Sequence, residues 1–158
     1  MSHMPPPFVG FLKEHHVMTL ATCHDDEPYC CSLFYAYMEG EGCFAFSSES
    51  ATQHVRNLSH NMFAAACIAL ETEAIGKIQG VQIQGLVYRP GDALAKAARK
   101  AYLHRFPYAV LLDTTIWLLE PTWAKLTDNR FGFGKKLTWK KELPVDTEFL
   151  REKYGGRG

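Results

Sequence analysis

The stretch from Glu27 to Ile68 restricts the fold more than any other part of the chain. It holds an uncharged run, Tyr29 to Met38, then glycines at 40 and 42, then a second apolar run, Cys43 to Phe46. Two short apolar runs joined by a glycine-flanked turn read as an antiparallel hairpin. The first run carries so little polarity that its strand is expected to be covered on both faces. A short helix follows from Ser50, burying Val55, Leu58 and Met62 and leaving Gln53, Arg56, Asn57 and His60 for solvent or ligand. Phe63 to Leu70 then returns as a strand, rich in alanine where close packing is needed.

The junction between the hairpin and that helix is rich in hydroxyls: Ser47-Ser48-Glu49-Ser50. Ser50-Ala51-Thr52-Gln53 fits the capping box, in which the Ser50 hydroxyl and the Gln53 amide satisfy each other's backbone donors. The first turn of a helix also presents unpaired N–H groups and a partial positive charge, which suit a phosphate. Ser48, Thr52 and His54 lie close to that point. By themselves these residues describe either a capped surface helix or an anion site.

The rest of the chain supplies the other elements. Phe8 to His15 has helical spacing, and Val17 to Thr22 reads as a strand. Lys77 to Tyr88 is a long strand whose internal glycines, Gly80 and Gly85, mark bulges or bends. Asp92 is placed to cap a helix running to about Arg105, with a basic surface of Lys96, Arg99, Lys100, His104 and Arg105. Thr114 to Leu126 is the last long strand, and Pro121 within it implies an edge or a bulge. Beyond it, Gly132 and Gly134 beside Lys135 and Lys136 could expose backbone amides to an anion. Six strands with interspersed helices make a mainly β, α+β domain. A small antiparallel barrel fits this pattern, as does a half-open sheet covered by helices.

The 158 residues suffice for one domain with its own core. The expected division is a disordered or tag-derived N-terminus over 1–7, a domain over 8–143 and a charged tail over 144–158. Seventeen basic residues balance 17 acidic ones, which removes any global electrostatic case for nucleic acid or membrane. The balance is uneven: up to Gln79 three bases face nine acids, and beyond it fourteen bases face eight. Oppositely charged halves suit packing on each other, within a subunit or across a dimer. Five cysteines, two of them adjacent, are not a disulfide framework, and no Cys/His grouping has zinc spacing. Cys30, Cys31, Cys43 and Cys67 fall in apolar strand patterns and read as core residues, with Cys23 the most reachable. No apolar run approaches the ~20 residues of a membrane span, and no signal-peptide pattern is present, so the expected compartment is the cytoplasm.

A family resemblance adds to this reading. It rests on Pro28-Tyr29, Ser32-Leu33-Phe34, Phe44 to Ser48, Thr52 to His54 and Asn57-Leu58-Ser59-His60-Asn61, in that order around the glycine hairpin. The chain thereby resembles the pyridoxamine-phosphate-oxidase-like split barrels that bind flavin mononucleotide (FMN). Arg99-Lys100-Ala101-Tyr102 with Arg105-Phe106-Pro107, and Thr127-Asp128-Asn129 with Gly132-Phe133-Gly134-Lys135-Lys136, resemble the bacterial YhbP-like branch. The resemblance implies a six-stranded antiparallel split β-barrel with flanking helices. It also implies a homodimer with FMN at the subunit interface. The activity it suggests is that of a flavin-dependent oxidoreductase of unknown substrate, or of a non-catalytic flavin- or haem-binding protein on the same barrel. Carried over by residue, the flavin ring would lie along Cys31, Ser32, Leu33 and Phe34. Ser47 and Ser48 would meet the ribityl and phosphate end, and Thr52, Gln53 and His54 would cradle the phosphate. The family's usual lysine or arginine is absent at Gln53 and His54, which leaves Arg56, Lys77 or the basic C-terminal half to supply a cation. For haem, the axial candidates are His54, His60 and His104. No side chain stands out as a catalytic acid, base or nucleophile.

Overall fold

In a computed structural model of the chain, which describes residues 3–141, a single antiparallel sheet carries three helices. The strands are β1 (Val17–His24), β2 (Glu27–Phe34), β3 (Ala36–Met38), β4 (Cys43–Ser48), β5 (Phe63–Ala69), β6 (Gln79–Tyr88), β7 (Thr115–Asp128) and β8 (Lys136–Lys140). The helices are α1 (Pro6–Glu14), α2 (Gln53–His60) and α3 (Asp92–Arg105). The strand order is β2-β1-β5-β6-β7-β4-β3, with β8 also on β7. β2, at one end of this order, touches β4 near the other, so the sheet curls into an open, split barrel. Phe8, Leu12, Met18, Leu20, Phe44 and Phe46, all fully buried, belong to the core inside the curl. Ordered structure begins before the boundary expected at Phe8: Met4 is buried and α1 opens at Pro6. The segment 144–158 lies outside the described residues.

Eight strands replace the expected six for two local reasons. Tyr35 is fully buried, donates its hydroxyl to Leu12 O at 2.8 Å, and takes its backbone pairing from His16 O. The run from Tyr29 to Met38 therefore breaks at that residue into β2 and β3. The glycine-rich stretch after Asp128 turns back as β8, which pairs with β7 through Ala124 and Trp139. The expectation that the first run is covered on both faces also fails for β2. It is an edge strand with Cys30, Ser32 and Phe34 exposed. Of the cysteines assigned to the core only Cys43 is buried, with its thiol pushed up to about 12 by desolvation, whereas Cys30 and Cys67 are exposed.

The long strand β7 is the hinge of the topology. Its first half pairs with β4 and its second half with β8, on one side, and Pro121 stands between these two partners. A residue without an N–H is tolerated where one ladder stops and the next has not begun. On the other side β6 shifts register between Gln84 and Gly85. A Cβ at Gly85 would overlap the Glu120 carbonyl oxygen, so the bulge demands glycine for close approach rather than for an unusual φ.

α3 is tied down by Arg105, whose guanidinium donates to the carbonyls of Leu12, Lys13, His15 and Tyr35. The side chain that reads as part of a basic face is thus spent on the open carbonyls at the end of α1. Asp92 is the first helical residue, and Gly91 holds the cap position without a side-chain bond. Among the described residues no helix is long and apolar enough to cross a membrane.

Gly85→Ala is expected to lower the unfolding free energy by about 3 kcal/mol, in the upper range for a single substitution, because neither backbone can move without opening the β6–β7 ladder. Urea denaturation checks this; a loss within about 0.5 kcal/mol would show that the close approach is not required.

Candidate functional site

β4 ends at Ser48, and the chain turns through residues 49–52 into α2. The expected capping box does not form. α2 starts at Gln53, its cap residue is Thr52, and no side chain caps it. The Thr52 hydroxyl instead donates backwards to Glu49 O at 2.9 Å. The backbone N–H of Thr52 also goes to Glu49 O, and that of Arg56 to Thr52 O. The N–H groups of Gln53, His54 and Val55 are left without a protein acceptor among the described residues. In most helices an Ncap hydroxyl closes one of these donors; here all three stay open.

Around these donors the side chains form two hydrogen-bonded sets. Ser48 Oγ and His54 Nε2 share a bond at 2.5 Å, with Thr52 Oγ1 at 3.3 Å from the same nitrogen. His54 is buried, and desolvation lowers its pKa from 6.5, so the ring is neutral at pH 7. The second set is a relay. Arg56 donates to Gln53 Oε1 at 2.8 Å, Gln53 to Asn57 Oδ1 at 2.8 Å, and Asn57 to Thr22 Oγ1 at 3.1 Å. Asn57, expected to face solvent or ligand, is buried against β1 in this way. Gln53 accepts from Arg56 through its carbonyl oxygen and spends one of its two amide N–H donors on Asn57, so its first role is to orient Arg56. Arg56 also donates to Ala51 O at 2.6 Å, which sets its guanidinium at the opening of α2. Here the helix dipole and a fixed cation act in the same place.

The remaining expected residues divide by face. Ser47 hydrogen-bonds Thr114 on the opposite side of β4 from Ser48. Cys31 and Leu33 pack against the core, whereas Ser32 and Phe34 face outward, Phe34 against Phe106 with centroids 5.1 Å apart. The four do not share a face; what they share is the unpaired outer edge of β2. α2 packs on both β1 and β2, so the element that carries the open helix turn lies against the strand that owns that edge. A donor that sequence reasoning missed belongs to Trp117, paired with Phe46 two residues before Ser48. Its Nε1 is buried with no hydrogen-bond partner, and Arg89 stacks over its ring at 5.9 Å. Only three-dimensional pairing could reveal it, because an indole in a strand pattern reads as core. Lys77 lies in the 3-10 turn Ile75–Lys77, away from α2 in the pairing scheme.

The loop Gly132–Lys136 is not the expected anion cradle. The amides of Gly132, Gly134 and Lys135 are bonded to Asn129 O, Asn129 Oδ1 and Gly132 O. Among the described residues no group of three or more His, Cys, Asp or Glu is arranged to hold a metal.

Comparison with known proteins agrees with this architecture. The UPF0306 protein YhbP of Salmonella arizonae is 32% identical over 132 residues, covering 84% of this chain and 90% of that one. A heme binding protein from Mycobacterium smegmatis superposes with a TM-score of 0.73 at 21% identity over 88% of this chain, which spans 60% of that protein's length. A FAD-binding protein from Mesorhizobium loti gives a TM-score of 0.62 at 14% identity, over 78% of this chain and 94% of that one. Residues 4–128 match the family described as Pyridoxamine 5'-phosphate oxidase. With an antiparallel split barrel and this span of similarity, the chain belongs to the pyridoxamine 5'-phosphate oxidase family, in the UPF0306 branch that includes YhbP.

Proposed function

We propose that the protein binds FMN and acts as a flavin-dependent oxidoreductase on a substrate still to be identified. The observation that carries the reading is the uncapped first turn of α2, where three N–H groups and the Arg56 guanidinium meet. A phosphate dianion satisfies such donors without displacing any protein hydrogen bond. Ser48 and Thr52 add hydroxyls beside it, and the neutral His54 fixes the Ser48 hydroxyl rather than supplying charge. The β2 edge offers backbone groups to the polar rim of a planar ring, and the exposed Phe34 and Ser32 offer contact to its face. Bound flavin would supply the redox chemistry; the chain's part is to hold the phosphate, align the ring and exclude water. Membership of the family and the likeness to a FAD-binding protein support this.

A homodimer belongs to the same proposal. Across the outer face of the sheet, Ser32, Thr19, Cys67 and Gln82 align in one row and Cys30, Ala21, Ala65 and Gln84 in the next. Both rows are uncharged and seven of these eight residues are exposed, Ala21 being half-buried. A flat, uncharged face four strands wide suits a second copy packed by two-fold symmetry, with the β2 edges brought to the seam.

A non-catalytic haem carrier is the second reading. It is favoured by the exposed His104 beside an open apolar depression lined by Met38, Ala97, Ala101 and Leu103, and by the likeness to a heme binding protein. The absorption spectrum separates the two: flavin bands support the first, a Soret band the second.

Titration with FMN is expected to show that Thr52→Ala and Arg56→Gln each weaken binding about tenfold, the value of one charge-assisted or buried hydrogen bond. Unchanged affinity in both variants would remove the phosphate from this corner. Ala65→Arg is expected to convert the dimer to a monomer by sedimentation; a monomeric wild type, or a variant that stays dimeric, would rule out this face as the seam. His54 gives a pH test. Its folded pKa lies below the ordinary 6.5, so the unfolded chain takes up a proton before the folded one. Its contribution to stability is complete above 6.5 and is lost as pH falls through the lower folded value. His54→Gln should remove that part of the slope below about pH 6.5; urea midpoints that stay parallel for the two proteins there would show no such titration.

A further inference from the structure

At the end of the barrel covered by α1 lies a second cavity, of about 420 Å³, that shares no residue with the corner described above. Phe11, Leu126, Leu137 and Phe131 make its walls apolar, and Gly10 of α1 leaves it open on one side. The volume falls in the range of small-ligand pockets. Its polar groups decide what it can hold. Gln79 is buried at 8% exposure and lines the cavity. Its side-chain amide makes no hydrogen bond to another described residue and opens to the cavity, where a ligand's polar atom can meet it.

The charged rim is nearly balanced. Asp128 accepts three side-chain contacts and a backbone bond from Arg130, which hold its carboxyl below the usual range. The charge of Glu14 also acts on Arg130. Lys135 is the remaining cation, and its ammonium has no partner among the described residues. The branch motif itself sets this arrangement. Asn129 donates to Ile75 O and accepts from the Gly134 amide, which holds the loop so that Phe131 and Lys135 stand at the cavity.

We propose that this cavity binds a small monoanion with an aromatic or branched apolar body. The body lies between α1 and β8, a polar atom meets the Gln79 amide, and the anionic group meets Lys135. A polyanion is disfavoured because Glu14 and Asp128 stand on the same rim.

The test is fluorescence titration of the full chain with 1-anilinonaphthalene-8-sulfonate, set against N-phenyl-1-naphthylamine, which has the same rings and no charge. One sulfonate probe per chain is expected, with the uncharged probe at least about fivefold weaker, as loss of one charge contact implies. Gly10→Leu places its side chain in open space on a helix that tolerates it, so it blocks the cavity without unfolding the protein. It should abolish binding; Lys135→Ala and Gln79→Leu should each weaken the sulfonate probe at least about fivefold. Thr52→Ala should leave it unchanged. Equal affinity for the two probes, binding that survives Gly10→Leu, or displacement of the probe by FMN would overturn the proposal.

Discussion

The close approach of two backbones at Gly85 and Glu120 is the constraint on which the other features depend. With no side chain at Gly85, β6 can shift register against β7, and β7 can serve two partners in succession. β4 occupies its first half as far as Leu119, Pro121 ends that ladder, and β8 takes up the second half from Trp123. Each half then delivers a different surface. The β4 half carries the chain into α2, where the open helix turn lies. The β8 half brings the Asp128–Lys135 loop back over the end of the barrel under α1.

Much of this was legible from pattern. The hairpin and the bend at Gly85 follow from period and from glycine chemistry. So does the break at Pro121, because each is a local property of a few residues. What was not legible depended on partners distant in sequence. β2 reads as buried from its composition, but Cys30, Ser32 and Phe34 face outward, and composition does not distinguish a strand covered on both faces from one at the sheet's edge. The capping box at Ser50 failed because the Thr52 hydroxyl finds Glu49 O, a competition between two local bonds that a motif does not decide. Asn57 was assigned to solvent or ligand by its helical position, and Thr22 on β1 takes it inward. The chemistry of the glycine loop was misread for a similar reason: its amides answer Asn129 before any external anion.

The charge asymmetry between the two halves of the chain has a simpler outcome than mutual packing. Among the described residues the Lys and Arg ion pairs stay within their own halves: Lys13 with Glu39, Arg130 with Asp128, Lys141 with Glu120. Arg105 hydrogen-bonds across the halves, and it reaches carbonyl oxygens rather than carboxylates. An exposed pair such as Lys13–Glu39 adds little to stability, whereas a guanidinium that satisfies the carbonyls at the end of α1 joins α1, α3 and Tyr35 into one unit. The basic composition of the second half therefore serves cohesion at one place and leaves Arg89, Lys96 and Arg99 around a shallow basin beside Thr115.

The absence of lysine or arginine at Gln53 and His54 fits the same logic. Side-chain cations are one means of holding a phosphate; unpaired backbone donors are another, and the two differ in what they require of neighbouring residues. A lysine at either position could supply charge from a flexible stem. Open N–H groups need the helix start to be fixed and its natural cap diverted, and the sequence around α2 does both. Thr52 is turned back to Glu49, Gln53 is engaged at both ends and orients Arg56, and Asn57 anchors the relay on β1. His54, neutral and buried, closes on Ser48. These residues look like poor phosphate ligands when each is judged by its own charge. Judged together, they hold three donors and one guanidinium in place, and that arrangement loses nothing when the imidazole gives up its proton.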